Sequence, residues 1–487
     1  MSNKHKLTQQ DVGICSVGSY VPRLRLLRSA IANANSWANP GLIHKGKGVR
    51  AICAHDEDSL TMAVAAARAA RKLNADCRLS AVQFSSTTPP FADRQNAVIL
   101  SEALSLPESL HTSDATGSMR CATASLITAL KSGENHLVAA ADKRKTRPAS
   151  SLEMTSGDGA AAIETGTDRL LARFLASYSL AIDLTDHYRA SESEFDYELD
   201  ERWVKEEGHL EIIPKAINHL LREHNINPAE IKHLILPLPD QRTATKIAKL
   251  CGVAAEAVTN NLHLDCGHTG SAHPFLMFNY ALETARPGDK LLMVGFGQGC
   301  DVLLFEATSL VTQLKALSPV RALLEQGERD DNYMRYLSFN SLIKLDWGIR
   351  AERDNRTSQS AFFRQRKAMT GFIGGRCQAC NTPQFPRNAV CVNPDCRRPG
   401  EQANESFKDK AATMKSYTED WLAVSHNPPL MYGNVRFEGG GVVMMEYADF
   451  SPGDLKVGTP VSMQFRIKDE DSRRGFKRYF WKAAPLN

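Results

Sequence analysis

Four cysteines stand close enough along the chain to share one ion. The run CQACNTPQFPRNAVCVNPDC places Cys377 and Cys380 as C-x2-C, then ten residues, then Cys391 and Cys396 as C-x4-C. Two knuckles of this kind set four thiolates tetrahedrally around Zn²⁺. Four thiolates leave no position open for water, so the expected role is structural. The metal would hold a segment, 371–400, too small to have its own core. The competing readings are four unrelated thiols, or a site that has lost its metal. The remaining cysteines are scattered and read as small buried hydrophobes.

The elements around this cluster change character along the chain. From residue 11 to about 307, apolar runs alternate with helical patterns. VGICSVGSYVP, SAVQFSSTT, NHLVAAAD, AAAIETG, HLILPLP, LLMVGFGQG and DVLLFEA read as strands. SLTMAVAAARAARKL, CATASLITALKSG, EIIPKAINHLLREHN, TATKIAKLCG and PFLMFNYALETA read as helices. This alternation predicts a layered α/β architecture in two halves, 1–170 and 171–307. Residues 308–370 are charged, show no strand runs, and read as a helical connector. Residues 371–400 are the metal-held loops. Residues 401–487 are the last domain, and within it 427–487 turn to strands, with the GGG of NVRFEGGGVVMMEYADF as a bulge or tight bend in a small barrel.

Bulk properties narrow the function class. A chain of 487 residues holds more than one ordinary domain, and 43% apolar with 23% charged residues is ordinary for a globular protein. A net charge of +4 gives no support to broad attraction to nucleic acid or membrane. No apolar run reaches the length of a membrane span. The start, MSNKHKLTQQDVGICSVGSY, lacks the layout of an export signal, and eleven cysteines then suggest a reducing, cytoplasmic setting. The tail run RRGFKRYFW is basic and aromatic, as in grooves that stack bases. Strand alternation, however, sends neighbouring side chains to opposite faces, so core packing explains much of it.

VGSYVPRLRL, DEDSLTMAVAAA, SDATGSMRCATASL, GDGAAAI, HYRASESEFDYELDERWVKEEG and GFGQGCD, taken in order, resemble the thiolase superfamily. The nearest branch is similar to 3-hydroxy-3-methylglutaryl-CoA synthase, with the third-type ketoacyl-ACP synthases as cousins. The resemblance covers roughly residues 10–307. The tail, from GRCQAC through FRIKDEDSRRGFKRYFWKAAP, resembles the zinc-ribbon/OB domain that accompanies many acyl-CoA thiolase-like proteins. The implied fold is α/β: thiolase-like duplicated βαβ layers, then the helical connector, a zinc ribbon and a small OB-type β-barrel. The resemblance also implies an acyl-CoA thioester substrate reaching a buried site, and a homodimer.

Carried over position by position, the resemblance exposes losses. The family nucleophile is a Cys five residues after an Asp. Here the Asp is Asp114 and the position holds Met119, whose thioether cannot be acylated. Cys121 lies about 200° further around a helix and reads as packing; Ser118 is a weaker substitute. The family's catalytic His heads an H-Q-x-N run, and the matching PLPD puts Pro237 there and Asp240 at the Asn. Proline has no side-chain donor or acceptor. The Asn of a G-N-T turn becomes His268 of GHTGSAH, with His273 close by. These imidazoles are either chemical groups or satisfied structural residues. The family's general acid/base Glu matches Glu57 of HDEDSL. The bland reading is that Asp56, Glu57 and Asp58 favour a helix N-terminus, with Asp58 as the cap.

Without Cys and its His partner, a ping-pong route loses its attacker. An aldol or retro-aldol reaction beside a thioester needs proton shuttles and oxyanion donors instead. The expected activity is therefore carbon–carbon bond formation or cleavage on acyl-CoA, with Glu57, His268 and His273 as candidate catalytic residues. A Cys-dependent acyltransferase, a non-catalytic acyl-CoA-binding scaffold recruiting a partner enzyme through the OB domain, and a nucleic-acid-binding ribbon/OB protein are the alternatives.

Overall fold

The computed structural model describes residues 11–316, 320–352, 355–356, 358–400 and 402–486. Residues 1–10, on which the reading of the start as lacking an export signal partly rests, lie outside them. The described residues fall into two compact units. The first comprises 11–53, 58–97 and 109–336; the second comprises 54–57, 98–108 and 337–486.

The first unit is built on a mixed nine-stranded sheet. Its strands are β1 (Gly13–Tyr20), β2 (Ala81–Ser85), β3 (His111–Ala115), β4 (His136–Asp142), β5 (Gly159–Gly166), β6 (Ala172–Ala181), β7 (Ile231–Ile235), β8 (Lys290–Phe296) and β9 (Gly299–Ala307). They lie in the order β7-β8-β9-β6-β1-β5-β4-β2-β3. At the centre, β1 and β6 pair antiparallel. Moving outward from β1, β5 and then β4 follow antiparallel, and β2 joins parallel. Moving outward from β6, β9 and then β8 follow antiparallel, and β7 joins parallel. The two sides thus repeat one pattern, and only β3 lacks a counterpart.

Sequence and capping fix the helices against this sheet. The Ser59–Leu73 helix starts at Asp58, whose carboxylate accepts the Thr61 N–H while Thr61 reaches back to the Asp58 N–H. The Cys121–Ser132 helix stops at Gly133, which adopts φ of 72°. The His273–Leu282 helix is apolar nearly all round and almost wholly buried, the mark of a core helix. It shares one hydrophobic cluster with the Cys121–Ser132 helix.

Some sequence expectations need correction. Strands β3 and β6 carry no strong apolar signal, because HTSDA is a polar edge strand and ARFLASYSLA is only partly buried. The connector is not purely helical: Glu328–Asp330 forms a short strand parallel to Leu24–Leu26, in a small sheet completed by Val49–Ile52. Backbone pairing stabilises it, not side-chain pattern, so its charged sequence hides it.

In the second unit, Ile373–Cys377 pairs with Pro383–Gln384 and with Gln402–Ser406. A second, six-stranded sheet joins Ala412–Met414, Leu430–Phe437, Val442–Glu446, Pro460–Asp471 and Phe476–Pro485 in a circuit, with Thr418–Asp420 paired outside it to Leu430–Phe437. Its circuit closes through a parallel bridge between Tyr447 and Ala483. The glycines Gly439, Gly440 and Gly441 all take positive φ and turn the chain between two paired strands. Tyr479 and Trp481 of the basic tail run are buried, and the indole Nε1 of Trp481 donates to the Thr370 carbonyl at 2.8 Å. Arg474 and Arg478 pair with Asp471 and Asp469. The run therefore offers these two rings to the core rather than to bases.

Candidate active site

A cavity of about 430 Å³ opens in the first unit. Its wall brings together Met119, Pro237 and His268, which lie far apart in sequence. Local chemistry sets each one. Met119 sits just before the Cys121–Ser132 helix, where Ser118 Oγ donates to the Gly297 carbonyl at 2.8 Å. Arg120 reinforces the junction, with Nε on the same carbonyl at 3.0 Å and Nη1 on Asp301 at 2.9 Å. Pro237 follows β7, and Asn261 Nδ2 ties down the next carbonyls, Leu238 at 2.9 Å and Pro239 at 3.1 Å. Asp240 caps the Gln241–Leu250 helix by accepting the Arg242 N–H.

His268 is strapped to the segment 155–157. Its N–H donates to the Thr155 carbonyl at 2.9 Å, and its carbonyl accepts the Gly157 N–H at 3.0 Å. The approach is so close that a Cβ on Gly157 would sit 1.9 Å from the Cys266 carbonyl oxygen. The imidazole is fully engaged. Nδ1 accepts the Gly270 N–H at 3.2 Å, which leaves Nε2 to donate to the Pro237 carbonyl at 3.0 Å. Burial, helped by the Arg144 charge, lowers its pKa to about 4, so the ring is neutral.

His273 does not line the cavity. Its Nδ1 accepts the Thr269 N–H at 3.2 Å, and Nε2 donates to the Asn261 carbonyl at 2.9 Å. Burial and the neighbouring His268 push its pKa well below the ordinary value. The two rings pack 4.4 Å apart. In this turn the nitrogens of both imidazoles engage backbone groups.

Glu57 is not brought to this wall either. It belongs to the second unit, where one carboxylate oxygen pairs with Arg466 and the other accepts the Ala54 N–H at 2.8 Å. Both side chains are almost completely buried. Next to it, Asp56 pairs with Lys482 at 2.9 Å. Burial opposes ionisation of Asp56, but the Lys482 charge outweighs it and holds the carboxyl below its usual range. The HDED run is therefore split between ion pairing (Asp56, Glu57) and helix capping (Asp58). Cys121 is buried, and burial together with Asp142 pushes its thiol to about 12. No cysteine lies in the cavity wall among the described residues.

The wall also holds groups that the sequence reading passed over: Asp186, His187, Glu198, His209, Arg144 and Lys205. His187 Nδ1 lies 3.1 Å from Asp186 Oδ2. Burial alone would raise the Asp186 carboxyl, but the hydrogen bond and charge of His187 outweigh it and hold it below its usual value. Arg144 Nε donates to Asp196 Oδ2 at 3.0 Å. His209 lies on a π-helical stretch, Val204–Ile212, with its ring edge-on to Phe296 at 5.0 Å. Burial lowers its pKa to about 4. Half of these residues sit inside HYRASESEFDYELDERWVKEEG. Its density of His, Asp, Glu and Arg was the available signal.

The four cysteines of 377–396 do converge. Their Sγ atoms lie within 4.8 Å of one another, with Cys377–Cys396 at 3.9 Å and Cys380–Cys391 at 3.5 Å. Tetrahedral Zn–S bonds of about 2.3 Å require sulfurs about 3.8 Å apart, so the donor set fits that ion.

Comparison with known proteins bears on the fold. Residues 221–303 match the family model described as 3-oxoacyl-[acyl-carrier-protein (ACP)] synthase III C terminal. The hydroxymethylglutaryl-CoA synthase of Methanopyrus kandleri is 28% identical over 354 residues, 69% of this chain and 99% of that protein. Among solved structures, MvaS in complex with 3-hydroxy-3-methylglutaryl coenzyme A is 19% identical with a TM-score of 0.60. The match covers 68% of this chain and 91% of MvaS. The 3-oxoacyl-(acyl carrier protein) synthase III of Pseudomonas aeruginosa is 20% identical with a TM-score of 0.55, covering 61% and 98%. The chain is similar to these synthases. Its fold is the mixed α/β one of the synthases, and the convergence of Met119, Pro237 and His268 in one wall follows from it. No helix among the described residues is long and apolar enough to cross a membrane.

Proposed function

We propose that the chain acts on acyl-CoA thioesters, making or breaking a carbon–carbon bond by aldol or retro-aldol chemistry without a cysteine acyl-enzyme. One observation carries this reading: Met119 and Pro237 share the cavity wall in the places where the resemblance puts nucleophile and base. A thioether cannot form a thioester, and a proline ring cannot take a proton. The cavity's size suits the acyl end of a thioester. Incubation with radiolabelled acetyl-CoA, followed by denaturation, tests the point. The expected result is no protein-bound label, alongside turnover of 3-hydroxyacyl-CoA thioesters. Stoichiometric label would restore the acyltransferase reading, and binding without turnover would favour a non-catalytic scaffold.

The cysteine cluster supports a structural Zn²⁺ held by Cys377, Cys380, Cys391 and Cys396. Bound there, the ion supplies cross-linking and no open coordination site. The side chains of Thr382 and Asn393 lie beside the Cys380 sulfur and fit a supporting role. Elemental analysis of the purified chain is expected to give one zinc per chain. Cys391→Ser should abolish it and loosen 371–400, read by limited proteolysis. Metal-free protein with an intact segment would remove the assignment. The closed five-strand circuit with its one parallel junction supports an OB-type barrel for the sheet that follows.

A further inference from the structure

Three imidazoles line the cavity, and their hydrogen bonds separate them. His268 has both nitrogens committed to backbone groups. The His209 ring nitrogens have no hydrogen bond among the described residues, so no partner selects one of them for proton transfer. His187 has the arrangement that a proton carrier needs. Its Nδ1 lies 3.1 Å from Asp186 Oδ2, a contact that favours the ring proton on Nδ1 and turns Nε2 into the acceptor. Nε2 has no protein partner among the described residues.

The surroundings hold this pair firmly. His187 begins a two-residue strand whose opposite position is Glu198, also in the wall. The Leu199 N–H donates to the Asp186 carbonyl at 3.2 Å. Between the two strands, the buried Asp196 gathers Arg144 and Arg189, the latter at 2.9 Å, and so anchors the hairpin to the wall. Tyr188 and Tyr197 pack ring to ring at 5.4 Å on the same hairpin. A base on a loop is productive only when its support is this rigid.

We propose that His187, oriented by Asp186, is the catalytic base of the cavity and acts on 3-hydroxyacyl-CoA thioesters; this rests on the acyl-CoA reading above. In the cleavage direction Nε2 takes the β-hydroxyl proton. The O–H electrons become the new C=O bond, and the Cα–Cβ bond breaks. Its electron pair passes into the thioester enolate, and the imidazolium returns the proton to Cα. An aldehyde or ketone and a shortened acyl-CoA leave, with no oxidant, reductant or water consumed. Condensation is the same path reversed, beginning with removal of a Cα proton by Nε2. Asp186 is a positioning residue.

The test uses the full chain with acetyl-CoA in D2O. Binding is followed by calorimetry, and deuterium entry into the acetyl methyl group by mass spectrometry. The wild-type chain is expected to bind and exchange. His187→Gln should slow exchange at least 100-fold, the loss expected for a general base, with binding changed less than about threefold. Asp186→Asn, which keeps the imidazole, should slow exchange about tenfold and displace its pH profile, which a merely structural role would not do. Exchange by His187→Gln at the wild-type rate overturns the proposal and leaves the acyl-CoA reading standing. Binding without exchange in the wild-type chain overturns it likewise. Failure of the wild-type chain to bind acetyl-CoA overturns the acyl-CoA reading, and the proposal with it.

Discussion

The Pro237 carbonyl accepts a 3.0 Å hydrogen bond from Nε2 of His268. These are the positions where the family resemblance places a catalytic His and an Asn, and here they bond to each other. The imidazole serves the proline's backbone, and its other nitrogen serves Gly270. A ring satisfied on both sides, and held neutral by burial, is a brace.

That arrangement predicts a stability phenotype for His268. In His268→Ala, the Pro237 carbonyl and the Gly270 N–H lose their partner beside the cavity. Leaving such groups unsatisfied costs about 1–3 kcal/mol. Urea unfolding should show that loss, and His268→Gln should recover part of it. An alanine variant with undiminished stability but no turnover would make His268 a chemical group after all.

Met119 gives a second test. A thiol at 119 would still face Pro237, with no base in the place where the family keeps one. Met119→Cys alone should therefore take no lasting label from radiolabelled acetyl-CoA near neutral pH. An attacking thiol in this position is paired with a base that takes its proton, and Pro237 offers none there. Met119→Cys with Pro237→His is the comparison. Stoichiometric labelling of the single variant would show that the cavity activates a thiol unaided.

How much of this was legible beforehand depends on what carries the information. The Ser59–Leu73 helix, its Asp58 cap and the Gly133 stop are local, and a single sequence displays them. The cysteine cluster is equally plain, because its spacing is itself the signal. The convergence of Met119, Pro237 and His268 could be expected only through resemblance, since sheet order brings them together. Glu57 shows the limit. HDED looked like an acid/base beside a helix start, yet Glu57 pairs with Arg466, 409 residues away. Nothing local in either segment announces that partnership. His187 was missed for the opposite reason: it sat in an obviously polar run, and which of its many ionisable groups mattered depends on the hairpin register.

The Glu57–Arg466 pair makes its own prediction. Glu57→Gln leaves a buried guanidinium with Asp449 as its remaining carboxylate partner among its ion pairs. Breaking a buried pair by removing one member costs on the order of 3 kcal/mol. The expected variant is less stable in denaturant but keeps its turnover number under conditions where it is folded. A stable variant with turnover reduced 100-fold or more would return Glu57 to the chemistry.

Acid should loosen the fold in a defined window. Burial holds His55, His209 and His268 at about 4, below the ordinary value near 6.5, and pushes His273 well below that ordinary value too. Between those limits the unfolded chain binds more protons than the folded one, so stability rises with pH and is lost as pH falls. Buried carboxyls act the other way: burial raises Glu153 and Asp158, so their folded forms keep protons above the usual carboxylate range. The imidazoles titrate over a wider span and in greater number, so their sign should prevail from pH 6.5 to 5. Urea midpoints at pH 7.5, 6.5, 5.8 and 5.0 should be level at first and then decline. His209→Gln, which removes one of these titrations, should flatten the decline without displacing the plateau's end. A midpoint that holds constant or climbs toward pH 5 would mean that these rings are charged in the folded state, and the neutral His268 brace would fail with it.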